Sequence, residues 1–526
     1  MTRARVAAFA VWCALTLAVA IPARAQVSGG NLLIGQAGNV IGAERKDRSD
    51  LYDRLDLQWS SSALTLGGRF EYNRSDDDRP DFGRLASYQK VTQRWAEWER
   101  DGLGARVGNF YAILGRGLLH RSFELPGVVY DEVGTQSRYA ASRDLEGARL
   151  HAERGPIAAQ LFRGRVNGGT ISPALENLGI ERYLGVLDGA ELRTRLPRGA
   201  SIGAAWTRYV FGDAPERQYA SGFAAVDPLQ AAGVHEWSLP LSFEYAAERP
   251  SLTDWWEFRR GKERPHAMYA SGNLLWRRYS VLAEYKDYDG MRLGFNDPPS
   301  LVREHAAPLL NRDTHLLDAE GEEGFQIEAS GPLHDWVSFT TNFSRSDGAP
   351  GVRRLRFEER YGELHVAPPG RDAWECTVFA DRGFNTFDFV IDRHSLGLAA
   401  MARLPRALSV AIDLERKRVT TQGFFGSPEW FQDEYVSISV SRLGWGSAGI
   451  GITRTTDPRD LPSDDFGLPT ADRAVFAGAS LSGDVGESHQ VSLFAGRRRG
   501  GRACTSGTCY DVPSLKGAEL RVTSRF

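Results

Sequence analysis

Long apolar runs, cysteine and a net charge of either sign are what this 526-residue sequence has least of. Beyond residue 25 no apolar stretch approaches the roughly 18 residues that a membrane-crossing helix requires, and the mean hydropathy is below zero. Four cysteines exclude a miniature scaffold built from disulfides. With 64 Lys plus Arg against 67 Asp plus Glu, a nucleic-acid partner has no electrostatic footprint. Two classes survive these absences: a soluble exported protein, or a membrane barrel whose strands hide their apolar residues by alternation.

What is present begins with a processing signal. Arg3 and Arg5 precede an apolar stretch from Val6 to Ile21, followed by Ala23, Arg24 and Ala25 before Gln26. This is the order of a secretory signal peptide over 1–25 with cleavage after Ala25, and the apolar stretch is short for an uncleaved anchor. Cys13 lies inside that stretch and no cysteine stands at the cleavage point, so a lipid anchor is not suggested.

From residue 50 onward, period-two alternation recurs in stretches of about ten residues separated by turn-forming clusters. Val337, Phe339, Thr341 and Phe343 oppose Ser338, Thr340, Asn342 and Ser344. Leu408, Val410, Ile412 and Leu414 oppose Ser409, Ala411, Asp413, Glu415 and Lys417, and Leu64, Leu66, Phe70 and Tyr72 oppose Thr65, Arg69, Glu71 and Asn73. A soluble sandwich also alternates. Loop lengths decide: short turns at 60–62, 101–102, 155–156, 197–199, 331–334, 368–370, 404–405 and 485–487 interleave with long connections near 74–84, 112–141, 168–180, 291–322, 420–433, 457–471 and 499–512. That rhythm belongs to an outer-membrane barrel with periplasmic turns and outer loops. Trp98, Trp237, Trp276, Trp336, Trp374 and Trp445 fall at strand ends, where indole settles at a lipid boundary.

The expectation is an all-β, antiparallel transmembrane β-barrel of even strand number, roughly 20–24 strands. It occupies 26–526 as a single outer-membrane domain; the one irregular stretch is 212–248, where Ser238 to Pro240 supplies a further turn. The partners implied are outer-membrane lipid and lipopolysaccharide, and the barrel-insertion machinery. The last strand carries the insertion signal: Phe526 shares a face with Val522, Leu520 and Ala518, with Ser524 departing from the usual apolar choice.

Cys504 and Cys509 stand close together in a loop tip and are expected to form a disulfide in an oxidising compartment, while Cys376 is left over. The segments 112–141 and 291–322 are the candidates for function, because loops of that length with this mixture of apolar and charged residues are rarely plain solvated loops. They either fold into the lumen and constrict it or form an ordered extracellular cap; in the former case the candidate lumenal residues are Arg116, His120, Arg121 and Glu124 in the first segment, and Arg303, Glu304, His305, Arg312 and His315 in the second. His305 and His315 with Glu304, Asp313 and Asp318 have no metal-ligand spacing, and no GxSxG or comparable nucleophile setting is present, so neither cofactor, metal nor enzyme activity is expected. Inward charge is read as mixed in sign, at Arg69 and Glu71, Glu284 and Lys286, Arg356 with Glu358 and Arg360, and Asp413 with Glu415 and Lys417, which implies weak ion selectivity.

At GNFYAILGRGLLHRSFE from Gly108 to Glu124, NDPPSLVREH from Asn296 to His305, and the Cys504 to Tyr510 hairpin, the chain resembles a family of large outer-membrane β-barrels of unknown function, known mainly from Bacteroidota and neighbouring phyla. The resemblance implies the barrel fold and the outer-membrane location and carries no substrate or catalytic residue. Two functions follow as expectations: a porin-like pore or passive transporter for small solutes, narrowed by 112–141 and 291–322, or a plugged binding or structural barrel that anchors a surface or periplasmic partner.

Overall fold

The computed structural model describes residues 25–39, 48–76, 86–131, 137–169, 171–212, 214–234, 236–249, 265–291, 296, 298–299, 301, 303–315, 321–348, 355–368, 374–422, 427–462, 470–505 and 508–526. The expected signal peptide thus lies outside the described residues, apart from Ala25. The remainder forms a closed antiparallel barrel of 24 strands. The first strand, β1 (Gln26–Asn39), pairs along its length with the last, β24 (Leu515–Arg525), from Gly30 opposite Arg525 to Asn39 opposite Lys516. Closure leaves no strand edge exposed, the condition a sheet must meet in lipid.

At one end the strands are joined by tight turns whose central residues adopt positive φ, among them Asp101 and Gly102 (52° and 78°), Arg277 (53°) and Arg406 with Ala407 (65° and 57°). Two-residue hairpin loops demand that left-handed conformation, because its twist matches that of the strands. Residues 331–334 were expected to turn but continue the strand Gly321–His334 past a bulge, and the turn falls at Asp335 and Trp336. The stretch 227–240 does return the chain at this end, through a short helix, Pro228–Ala231, and a two-residue pairing of Trp237 and Ser238. At 420–433 the expected long loop is mostly strand, because Leu408–Gln422 and Pro428–Arg442 pair as far as Gln422 opposite Pro428.

Alternation puts Leu66, Leu161, Leu192, Ile327, Leu396 and Ile450 on the outside, 43–62% exposed, a density of bare apolar surface that water does not tolerate. Near the short turns Trp98, Trp276, Tyr279, Trp336 and Trp374 border this belt, with Trp276 stacked on Trp237 at 5.2 Å. Towards the loop end the exterior turns charged: Arg165 pairs with Glu146, and Arg208 with Asp188 at 2.6 Å. Arg356, Glu358 and Arg360 belong to this outer zone and do not point inward as expected. Arg360 is 65% exposed and bonds Glu358 at 2.7 Å, while the intervening Phe357, Glu359 and Tyr361 are buried inside. The strand outruns the apolar belt there, so polarity ceases to mark the inner face.

Candidate functional site

The interior is filled from the loop end by two inserts. The first follows the strand Leu103–Phe110 and consists of two hairpins, Ile113–Leu114 with His120–Arg121, and Phe123–Asp131 with Arg138–Arg143. Its first tip turns through Gly115 and Gly117, at φ 58° and 100°. The amides of Gly115 and Arg116 donate to Glu191 (2.8 Å) and Glu244 (2.6 Å), inward carboxylates of the strands Tyr183–Arg195 and Leu241–Arg249. A Cβ at Gly115 would collide with the Glu244 carboxylate, so only glycine admits this capping. Behind the tip Leu114, Leu118 and Leu119 are buried against Phe162, Leu187, Tyr219, Phe223 and Tyr288 of the inner wall. His120 packs on Phe162 with ring centroids 5.6 Å apart, and burial pushes its pKa down to about 3. Arg121 lies over the ring of Phe123 at 5.6 Å.

The second hairpin docks through charge. Glu124 accepts from Arg69 at 2.7 Å and from the Tyr111 hydroxyl at 2.9 Å, while the amide of Ala140 donates to Glu71 at 2.9 Å. Arg138 is buried, which opposes its charge, yet Asp131 at 2.9 Å and Asp50 hold its pKa above the usual arginine value. Arg138 also donates to Gln36, and Arg521 of the last strand donates to the carbonyl oxygen of Gly127.

The second insert, described at 290–291, 296, 298–299, 301 and 303–315, is tied to the first by Asn296, which accepts from the Arg121 amide at 2.7 Å and donates to the carbonyl oxygens of Gly117 (3.0 Å) and Leu118 (2.8 Å). His305 and His315 do not converge. His305 meets Glu359 at 2.9 Å, and Glu359 in turn meets Arg393 at 2.7 Å; His315 meets Glu322 at 3.0 Å beside Lys286 at 2.6 Å. Arg303 pairs with Glu328 and lies 4.9 Å above the Tyr361 ring, Glu304 is exposed, and Asp318 lies outside the described residues. Each buried pair is a weak net stabiliser whose rupture is costly, because the remaining charge is stranded.

A disulfide joins Cys504 and Cys509 across the hairpin Gly501–Thr505 and Thr508–Val512. The Asn311 side chain exchanges two hydrogen bonds with the Cys504 main chain, 2.8 and 3.1 Å, and Tyr510 meets Tyr130 of the first insert at 6.2 Å. Arg312, next in the chain, donates to the carbonyl oxygens of Arg499 (3.0 Å) and Gly500. Burial, with the neighbouring Arg499 guanidinium, presses its pKa below the usual arginine value.

One sector of the wall meets the inserts differently. On the strands Pro428–Arg442, Gly446–Thr455 and Ala474–Val485 a run of inner positions is small, Ser437, Ser439, Gly449, Gly451, Gly478 and Ser480, with Tyr435, Thr453 and Phe476 beside it towards the loops. They line a cavity of about 430 Å³ whose far side is Pro308, Leu309 and Arg312 of the second insert. Nothing in the sequence distinguished Glu191, Glu244, Asn296 or Glu359 as anchors; each is a lone polar residue at an inward position whose partner lies far along the chain. The signal that could have marked the open sector is the serine and glycine at alternate positions, Ser437 with Ser439 and Gly449 with Gly451.

No family model and no curated protein matches the chain. Among solved structures it is similar to the P pilus usher (PapC) translocation pore, at 10% identity and TM-score 0.47, over 95% of this chain and 99% of that one. It is similar to a BenF-like porin from Pseudomonas fluorescens Pf-5, at 8% identity and TM-score 0.37, over 69% of this chain and 94% of that one. A third is Pseudomonas aeruginosa OccK2 (OpdF) in complex with glucuronate, at 12% identity and TM-score 0.38, over 69% and 92% of the two chains. At these values the likeness carries no argument about function, and the fold stands on the strand pairing described above.

Proposed function

We propose that the chain is an outer-membrane channel that passes small solutes passively beside its two inserts. The observation that carries this reading is the small-residue wall: Ser437, Ser439, Gly449, Gly451, Gly478 and Ser480 face a cavity of about 430 Å³ that the inserts do not fill. A hydroxyl-lined, water-accessible route is what hydrated solutes require, and it needs no catalytic group. The bare apolar belt is the surface that lipid would cover, and Phe526, Val522 and Leu520 stay assigned to recognition by the insertion machinery. The rival reading, a plugged barrel that anchors a partner, draws on the buried pairs that bolt the inserts to the wall, Arg138 with Asp50, His305 with Glu359 and His315 with Glu322.

Conductance of the purified protein in planar bilayers tests the channel. Discrete steps that enlarge several-fold when 112–141 is removed are the expected result. A silent protein, before and after that deletion, favours the plugged barrel. Migration in detergent gels with and without heating reports whether each variant is folded.

A further inference from the structure

Two cavities, of about 480 and 430 Å³, share Arg312 and Arg499 in their linings. The cavity towards the loops is bounded by both signs of charge, and its charges satisfy one another: Arg459 bonds Asp457 at 2.7 Å, Lys417 bonds Asp313 at 2.7 Å, and Arg499 meets Asp460 at 2.6 Å. The cavity against the small-residue wall is different. Its only charged lining residues, among the described residues, are Arg312, Arg497, Arg498 and Arg499. The acid on the adjoining strand, Asp413, accepts from Ser437 at 2.7 Å.

These four arginines are not equivalent. Arg498 is met by Glu519 at 3.1 Å, Arg499 by Asp433 at 3.0 Å as well as by Asp460, and Arg497 lies 5.6 Å from the centre of the Phe476 ring. Arg312 binds only main-chain carbonyl oxygens, those of Arg499 and Gly500, and among the described residues no carboxylate is in ion-pair contact with it. It is also held in place. Leu309 and Leu310 are buried beneath it, and its neighbour Asn311 is pinned to Cys504 by two hydrogen bonds. A fixed cation therefore stands where the two cavities meet with no carboxylate in direct contact, Asp313, Asp433 and Asp460 acting on it only from a distance.

We propose that Arg312 is the selecting residue of the passage and that small oxyanions, carrying a carboxylate or phosphate group, are the solutes it favours. This rests on the channel reading above. A guanidinium fork matches two oxygens of such a group at once, whereas chloride gains only the charge. The charges around the other cavity are paired, so a cation held here without an ion-pair partner can bias the route.

Reversal potentials across a planar bilayer test this, with gradients of potassium chloride, potassium acetate and potassium phosphate. The intact protein is expected to pass each anion ahead of potassium. Arg312→Gln is expected to lower all three anion-to-potassium ratios by about tenfold, because one unit charge roughly 6 Å from an ion in water favours the anion about threefold and disfavours potassium by about the same factor. Arg312→Lys is expected to keep the chloride ratio while losing the preference for acetate or phosphate over chloride; whichever of the two loses more identifies the favoured group. Ratios in Arg312→Gln equal to those of the intact protein overturn the proposal while leaving the channel standing. A protein silent with and without 112–141 removes the channel and the proposal with it. If heat-modifiable migration shows Arg312→Gln unfolded, the acetate-to-chloride ratio of Arg312→Lys decides alone, and no change in it overturns the proposal.

Discussion

The wall between the strands Tyr183–Arg195 and Leu408–Gln422 and the wall formed by Pro428–Arg442, Gly446–Thr455 and Ala474–Val485 share one backbone and differ in what they do with their inner face. The first puts Glu191, Glu244, Lys286, Glu359 and Glu415 inward, and each takes hold of an insert or of another inward charge. The second keeps one buried acid towards the loops, Asp433 on Arg499 and Lys417, and below it puts mainly serine and glycine. In a barrel the outer face is constrained by lipid everywhere, so the inner face is free to specialise by sector. Bulk and charge make a mount for the inserts, and smallness makes a gap.

The contrast can be broken from the mount side first. Glu359→Ala leaves buried His305 without its carboxylate and Arg393 with Asp381 alone, and a loss of about 1–3 kcal/mol in folding stability is expected, read from denaturant titrations of the detergent-solubilised protein. A change below 1 kcal/mol would mean that water reaches the pair and that this wall is not a mount. The gap is probed by filling it. A Cβ on Gly451 would have the Tyr435 ring 3.8 Å away, so Gly451→Trp has room and is expected to cut single-channel conductance by more than half with little loss of stability. A Cβ on Gly324, by contrast, would lie 2.7 Å from the Arg345 carbonyl oxygen, so even Gly324→Ala should cost stability. Equal outcomes at the two glycines would erase the distinction between the sectors.

Smaller effects sharpen the comparison. His120 titrates near 3 in the folded protein, well below an ordinary histidine near 6.5, so folding favours its neutral form. Its contribution is complete above about pH 6.5 and is lost progressively as the pH falls towards 3, because the unfolded chain binds the proton first. Acidification should therefore destabilise the intact protein more than His120→Leu, with the gap opening in that window of a melting series. Parallel pH curves for the two proteins would place His120 in water. Smallest is Cys509→Ser: opening so short a loop should cost about 2 kcal/mol locally, seen as faster hydrogen exchange in 501–512 with the barrel strands unchanged.

Much of the barrel was legible because lipid and lumen impose opposite demands on alternate residues. Leu408, Val410, Ile412 and Leu414 against Asp413, Glu415 and Lys417 gave both the strand and its facing, and the structure keeps both. The rule failed where lipid ends. At Arg356, Glu358 and Arg360 the outer face is polar, and the inner one carries Phe357 and Tyr361, which press on the second insert through His315 and His305. Parity at 212–248 was recoverable from Ser238 to Pro240, whereas the strand that runs through 331–334 was hidden by a glycine and a proline that sit at a bulge. The anchoring of the inserts was not legible, since Arg116 finds Glu244 and Asn311 finds Cys504 only after the sheet has closed.

The hydrogen bond from Arg521 to Gly127, and that from Arg138 to Gln36, attach the first insert to the last and first strands, the two that form the seam. The hairpin thus spans the junction of β24 and β1 from within, a clasp added to the backbone pairs of the seam. Loosening both bonds leaves the junction to the pairing of the two strands themselves.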